Sequence, residues 1–163
     1  MSIIDLGKQS LIYGAGHVLA RLITFLLLPL YTHTFTQEEY GALSLAYAFM
    51  GFALILYRYG MDTAMMKYSV QKQGPERKKY ITLIIVTQFI TSFLFTFIIY
   101  FTRLSTAEYV LGTYRPDWIS YLAVILFFDT LWNLPLLILR SEEKAIPYIL
   151  LSLLNVILTM ALN

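Results

Sequence analysis

Five long apolar runs follow one another along the chain, at 11–32, 40–60, 80–102, 118–139 and 145–163, separated by short polar stretches. Each is close to the ~20 residues a helix needs to cross the hydrocarbon of a bilayer. In lipid a segment must satisfy its own backbone polar groups, so only helices and closed barrels span, and runs without two-residue alternation read as helices. The expected fold is all-α: a polytopic membrane helix bundle of about five transmembrane helices, with residues 1–163 forming a single membrane domain.

Composition agrees. Hydrophobic residues make up 58% of the chain and charged residues only 13%, with a mean hydropathy of +0.66. The longest polar stretches, 67–79 and 103–117, are loop-sized, which leaves no room for a soluble domain. A net charge of +2, with its cations in short clusters between the runs, gives no basic face for nucleic acid. The absence of cysteine excludes disulfides, thiolate metal sites and a cysteine nucleophile. Lys8 precedes an apolar run, as in a secretory signal, but that run is too long for a signal core and carries His17 and Arg21, so it reads as the first span.

Local signals mark the span ends. Thr36-Gln-Glu-Glu39 fits a capping box at the start of the second span, Gly74-Pro75 breaks the second loop, and Pro116 is placed to open the fourth span at its first turn. Pro147 falls likewise near the start of the fifth. Lys8, Lys67, Lys72, Arg77, Lys78, Lys79, Arg140 and Lys144 lie on the N-terminus and the even-numbered loops, against Arg103 and Arg115 on the odd ones, which predicts a cytoplasmic N-terminus. Tyr31, Tyr40, Tyr80, Tyr100, Tyr121 and Trp118, at span ends, read as headgroup anchors.

Against this apolar background the charged residues inside spans stand out. Arg21 lies near the centre of the first span, where a guanidinium costs at least ~2.5 kcal/mol and needs a partner or a water-filled cavity. With Tyr13 and His17 it forms one stripe at i, i+4 and i+8. Arg58 and Asp62 are four apart near the end of the second span, where they can pair on one helix face, and Asp129 and Asn133 are four apart in the middle of the fourth. Arg21 and Asp129 are too deep for easy snorkelling, so they must pair with each other or face water. A lone His17 is more often a packing residue than a ligand or proton carrier. Pro29 and Pro135 each remove an intrahelical hydrogen bond and are candidate conformational hinges. The third span has no charge; its Thr82, Thr87, Gln88, Thr91, Ser92 and Thr96 can bond their own backbone or a neighbouring helix, and the span reads as scaffold.

Gly14-Ala-Gly-His-Val-Leu-Ala-Arg21, running through Leu27-Leu-Pro-Leu-Tyr-Thr32 to Phe35-Thr-Gln-Glu-Glu-Tyr-Gly41, resembles the opening of the bacterial polysaccharide and O-antigen flippases of the multidrug/oligosaccharidyl-lipid/polysaccharide exporter superfamily. Leu139-Arg-Ser-Glu-Glu-Lys144 with Tyr148 is similar to that family's cytoplasmic link between helices four and five. The resemblance implies the first part of a two-lobed exporter in the bacterial inner (plasma) membrane. Such an exporter moves undecaprenyl-pyrophosphate-linked oligosaccharide across it by alternating access through a cationic lumen. Substrate-binding roles are implied for Arg21 and, by position, for Arg58, with Asp129, His17 and Asn133 completing the polar lining. His33 stands where family members often carry arginine, and the first span lacks the acidic ion-coupling residue of the drug-exporting branch. The expected partners are the lipid-linked substrate, membrane lipids and polysaccharide assembly proteins, with no catalytic residues, no metal and no cofactor.

Two alternatives follow from the same residues: a truncated, non-transporting membrane subunit, and a membrane glycosyltransferase or acyltransferase acting on lipid-linked sugars. The second requires acid/base residues clustered at an interface. Glu38 and Glu39 near His33 are the closest approach to that, and adjacent carboxylates before a helix read better as caps. The fifth run reaches Asn163 with no polar exit, so further hydrophobic spans are expected to follow it; an authentic stop codon in an intact reading frame would count against this.

Overall fold

A computed structural model of the protein describes residues 33–112 and 115–161, together with Gly14, Val18, Phe25 and Pro29, and side chains as far as Asn155. Among these residues there is no strand. The helices are α1 (Gln37–Arg58), α2 (Met61–Gln71), α3 (Gly74–Phe101), the short α4 (Arg103–Thr106) with a π-helical turn at Ala107–Leu111, α5 (Pro116–Ser141) and α6 (Ala145–Ala161). Three of them, α1, α3 and α5, are long and apolar enough to cross a membrane. The first expected span lies almost wholly outside the described residues; Gly14, Val18, Phe25 and Pro29 are helical.

The chain packs as two units, Phe35–Ile138 and a second formed by Met1–Thr34 with Leu139–Asn163. In the first unit α1 begins as its sequence dictates. Glu39 N–H donates to Thr36 Oγ1 at 3.3 Å and Thr36 N–H donates to the Glu39 carboxylate at 3.0 Å, satisfying two of the donors every helix start leaves free. Thr36→Ala is expected to cost about 1 kcal/mol, read as a several-fold faster hydrogen exchange of the Glu39 amide with no change at α3.

Three layers of packing run along this unit. Ala46, Ala107, Leu111 and Ile119 form one end, Ala53, Tyr57 and Leu126 the middle, and Met65, Ile84 and Leu134 the other end. Alanines recur at the contacts because, between helices in lipid, association rests on close van der Waals approach and not on removing apolar surface from water. The distribution of polarity is the reverse of a soluble domain: Gln88, Ser92 and Thr130 are buried, while Phe52, Ile55, Phe101 and Phe128 are largely exposed. A surface of that kind is stable only against hydrocarbon, so this is a membrane protein.

Two elements differ from the sequence expectation. Positions 67–79 are not all loop, since α2 occupies Met61–Gln71; and α1 stops at Arg58, where Tyr59 (φ 26°) and Gly60 (φ 89°) take up positive φ and turn the chain. Glycine tolerates that region freely, whereas Tyr59 adopts it under strain. At the opposite end Arg103 and Arg115 lie over the rings of Tyr100 and Trp118, 4.2 and 5.4 Å from their centroids.

In the second unit α5 closes in a Schellman motif. Lys144 N–H donates to the Leu139 carbonyl at 3.0 Å and Glu143 N–H to the Arg140 carbonyl at 3.1 Å, with Glu143 at φ 57°. Lys144 Nζ pairs with Glu142 at 2.8 Å, so the acidic-basic link before α6 is a closed turn.

Candidate functional site: a guanidinium shared between helices

Among the described residues, the turn between α1 and α2 carries a cluster of three charges within the apolar layers. Arg58, the last residue of α1, sends one guanidinium nitrogen to Asp129 Oδ2 on α5 at 3.0 Å and the other to Asp62 Oδ2 on α2 at 3.5 Å. The side chains of all three are about a third exposed. One cation faces two carboxylates, a local formal charge of −1, so Arg58 is an engaged ion and any anion approaching it must compete with Asp62 and Asp129. Its Nε is buried with no hydrogen-bond partner among the described residues, as is Nδ2 of Asn133, one turn beyond Asp129. Two orphaned buried donors beside a charge cluster leave capacity to hold an acceptor group.

The strained turn is braced from α3. Gln88, 1% exposed, donates from Nε2 to the Tyr57 carbonyl at 2.6 Å and to Ser92 Oγ at 3.0 Å. The carbonyl belongs to the last turn of α1, where the ordinary i+4 donors run out. One turn along, Thr91 Oγ1 lies 3.1 Å from the Tyr59 hydroxyl, and Thr96 Oγ1 lies 3.0 Å from that of Tyr57. The uncharged third span is therefore scaffold in a specific sense: its Thr91 and Thr96 hydroxyls hold the Tyr59 and Tyr57 side chains, and its one carboxamide holds the backbone next to Arg58. On its other side Tyr57 lines an apolar cleft of about 310 Å³ between α1 and α3, walled by Phe49, Phe52, Phe95 and Ile98.

Of the residues singled out from sequence, the structure brings Arg58 and Asp129 together and sets Asn133 one turn further along α5. The reading that Arg58 and Asp62 pair holds, across a helix break instead of along one helix face. Asp129 has a partner, Arg58. His17 and Arg21, with Tyr13, lie outside the described residues. Pro29 is helical and exposed. Pro135 sits inside α5, which continues to Ser141, and its missing N–H leaves the Leu131 carbonyl without the i+4 donor. Asp62 and Gln88 were not singled out as site residues. Asp62 was visible as the i+4 partner of Arg58; Gln88 could be found only by asking what donates to the carbonyls at a Tyr-Gly break.

A family model described as polysaccharide biosynthesis protein matches residues 6–162. No curated protein and no solved structure matches the chain.

Proposed function

Since the chain belongs to the polysaccharide biosynthesis protein family, its role lies in polysaccharide biosynthesis and export at a membrane, and we propose that it carries lipid-linked oligosaccharide across that membrane by alternating access. The observation that carries this reading is the Arg58–Asp62–Asp129 cluster with its orphaned donors, set among helices whose outer surfaces are hydrocarbon-like. A diphosphate headgroup is anionic and strongly hydrated, so its passage needs cations and water along the path, while the hydrocarbon tail stays in lipid. Arg58, given up by one carboxylate, offers a planar fork to a phosphate, and the buried Nε and Asn133 Nδ2 offer further donors. Arg21 in the first span supplies a second cation, with His17 on the same stripe. Pro29 and Pro135 are the positions at which helices bend as access alternates. The chemistry asked of the protein is binding and release, with no covalent step.

The test uses the chain's freedom from cysteine. Asn133→Cys is expected to react with a water-soluble maleimide in membrane vesicles, and Phe128→Cys, on the lipid-facing side of the same helix, is expected to resist. Absence of labelling at Asn133→Cys would remove the aqueous path. In parallel, Arg21→Ala in the intact gene should abolish complementation of a flippase-deficient strain while membrane insertion persists; normal complementation would take Arg21 out of the mechanism.

A further inference from the structure

The link from α2 to α3 gathers charge that translocation leaves unused. Lys67, Lys72, Arg77, Lys78 and Lys79 stand against a single carboxylate, Glu76, between positions 67 and 79. Two of these cations are committed to structure. Lys72 Nζ pairs with Glu76 at 3.0 Å, and Arg77 Nε donates to the Ser69 carbonyl at 3.0 Å, closing the end of α2 against the start of α3. Lys67, Lys78 and Lys79 are exposed and have no carboxylate within ion-pair distance among the described residues.

An aromatic pair joins the two helices beside these three. Tyr68 of α2 and Tyr80 of α3 stack face to face, with centroids 4.6 Å apart and planes 4° from parallel. The Lys67 ammonium lies 5.8 Å from the Tyr68 centroid and that of Lys72 lies 5.4 Å from the Tyr80 centroid. Paired phenol rings at the end of an apolar span sit where hydrocarbon gives way to headgroups. A topological signal needs only a count of cations. Here two of the five are spent on fixing the link and the rings fix its level, which presents the remaining three as an ordered surface.

We propose that the α2–α3 link is a binding surface for the phosphate headgroups of anionic phospholipids, with Lys67, Lys78 and Lys79 as the cations and the Tyr68–Tyr80 stack as the anchor that sets their depth. Charge complementarity favours this occupant, because each lysine near an anionic leaflet contributes about a five-fold preference, the equivalent of about 1 kcal/mol. The surface is independent of whether Arg58 meets substrate.

The purified protein, reconstituted in nanodiscs of equal phosphatidylglycerol and phosphatidylcholine and then released into mild detergent, is expected to retain phosphatidylglycerol in several-fold excess by native mass spectrometry. The excess should shrink as salt rises. The combined Lys67→Gln, Lys78→Gln and Lys79→Gln variant should retain the two lipids equally, and the matching arginine variant, which keeps both charge and topology, should behave as the parent. Equal retention by the parent, an unchanged excess in the glutamine variant, or loss of the excess in the arginine variant would each overturn the proposal. Displacement of the lipid by soluble glycerophosphate at matched concentration would do so as well, by assigning the surface to free phosphates.

Discussion

Arg58→Ala is expected to be the most damaging single change in the charged cluster, worse than Asp129→Ala or Asp62→Ala, because the three residues do not share charge evenly. Removing Arg58 leaves two carboxylates close together with no ion-pair partner among the described residues; removing Asp129 leaves a guanidinium that still has Asp62 at 3.5 Å. Breaking a fully buried pair costs about 3–5 kcal/mol. The side chains here are 33%, 32% and 37% exposed for Arg58, Asp62 and Asp129, so screening reduces the expected loss to about 1–3 kcal/mol for Arg58→Ala. The loss for Asp129→Ala should be about half of that or less. Thermal unfolding of the purified variants in one detergent gives the order directly. The double variant Arg58→Ala, Asp129→Ala should be more stable than the sum of the two losses, since the second change removes a carboxylate the first had stranded, and contacting residues couple by about 0.5–3 kcal/mol. Arg58→Lys should recover the charge without the fork, holding one carboxylate and releasing the other. A coupling near zero in this double-variant cycle would show that the Arg58–Asp129 pair is incidental to the fold.

The membrane bundle was legible in the sequence because hydropathy, caps and length act locally. Thr36 and Glu39 carry the whole start of α1 in four consecutive positions, and Pro116 opens α5 for a reason contained in its own ring. The expected spans differ from α1, α3 and α5 by a few residues at their ends, where helices run past the hydrocarbon edge into polar sequence such as Glu76 to Lys79. Charges inside spans were equally visible, since so few side chains there are charged. Partnership was not. Asp129 lies 71 positions from Arg58, and no spacing rule reaches across a bundle to join them. Nor did the apolar run from 40 to 60 announce that its last residues leave the helix. A Tyr-Gly pair at the end of a run is compatible with simple termination; the continuation as α2 depends on Met65 packing with Ile84 and Leu134, which is a tertiary fact.

The same dependence makes Gln88 the second substitution with a large expected effect, although it bears no charge and touches neither carboxylate. Gln88→Leu preserves volume and removes the donor to the Tyr57 carbonyl, leaving a buried backbone acceptor at a helix end unsatisfied. That penalty is about 1–3 kcal/mol in general. Interhelical hydrogen bonds in membranes average less, near ~0.6 kcal/mol, because the separated helices find other partners. The substitution also deletes a Gln88 Oε1 that is itself buried without a partner among the described residues, which offsets part of the loss. A net destabilisation of about 1 kcal/mol is expected. Gln88→Ala should exceed it by the cavity it opens. The decisive readout is indirect. If Gln88 fixes the turn that aims Arg58, the coupling between Arg58 and Asp129 measured by the double-variant cycle should fall when the cycle is repeated in the Gln88→Leu background, with both ionic residues intact in its reference chain. A coupling that stays the same would mean that Tyr59 and Gly60 hold their positive-φ turn without α3, and that the third span contributes packing alone.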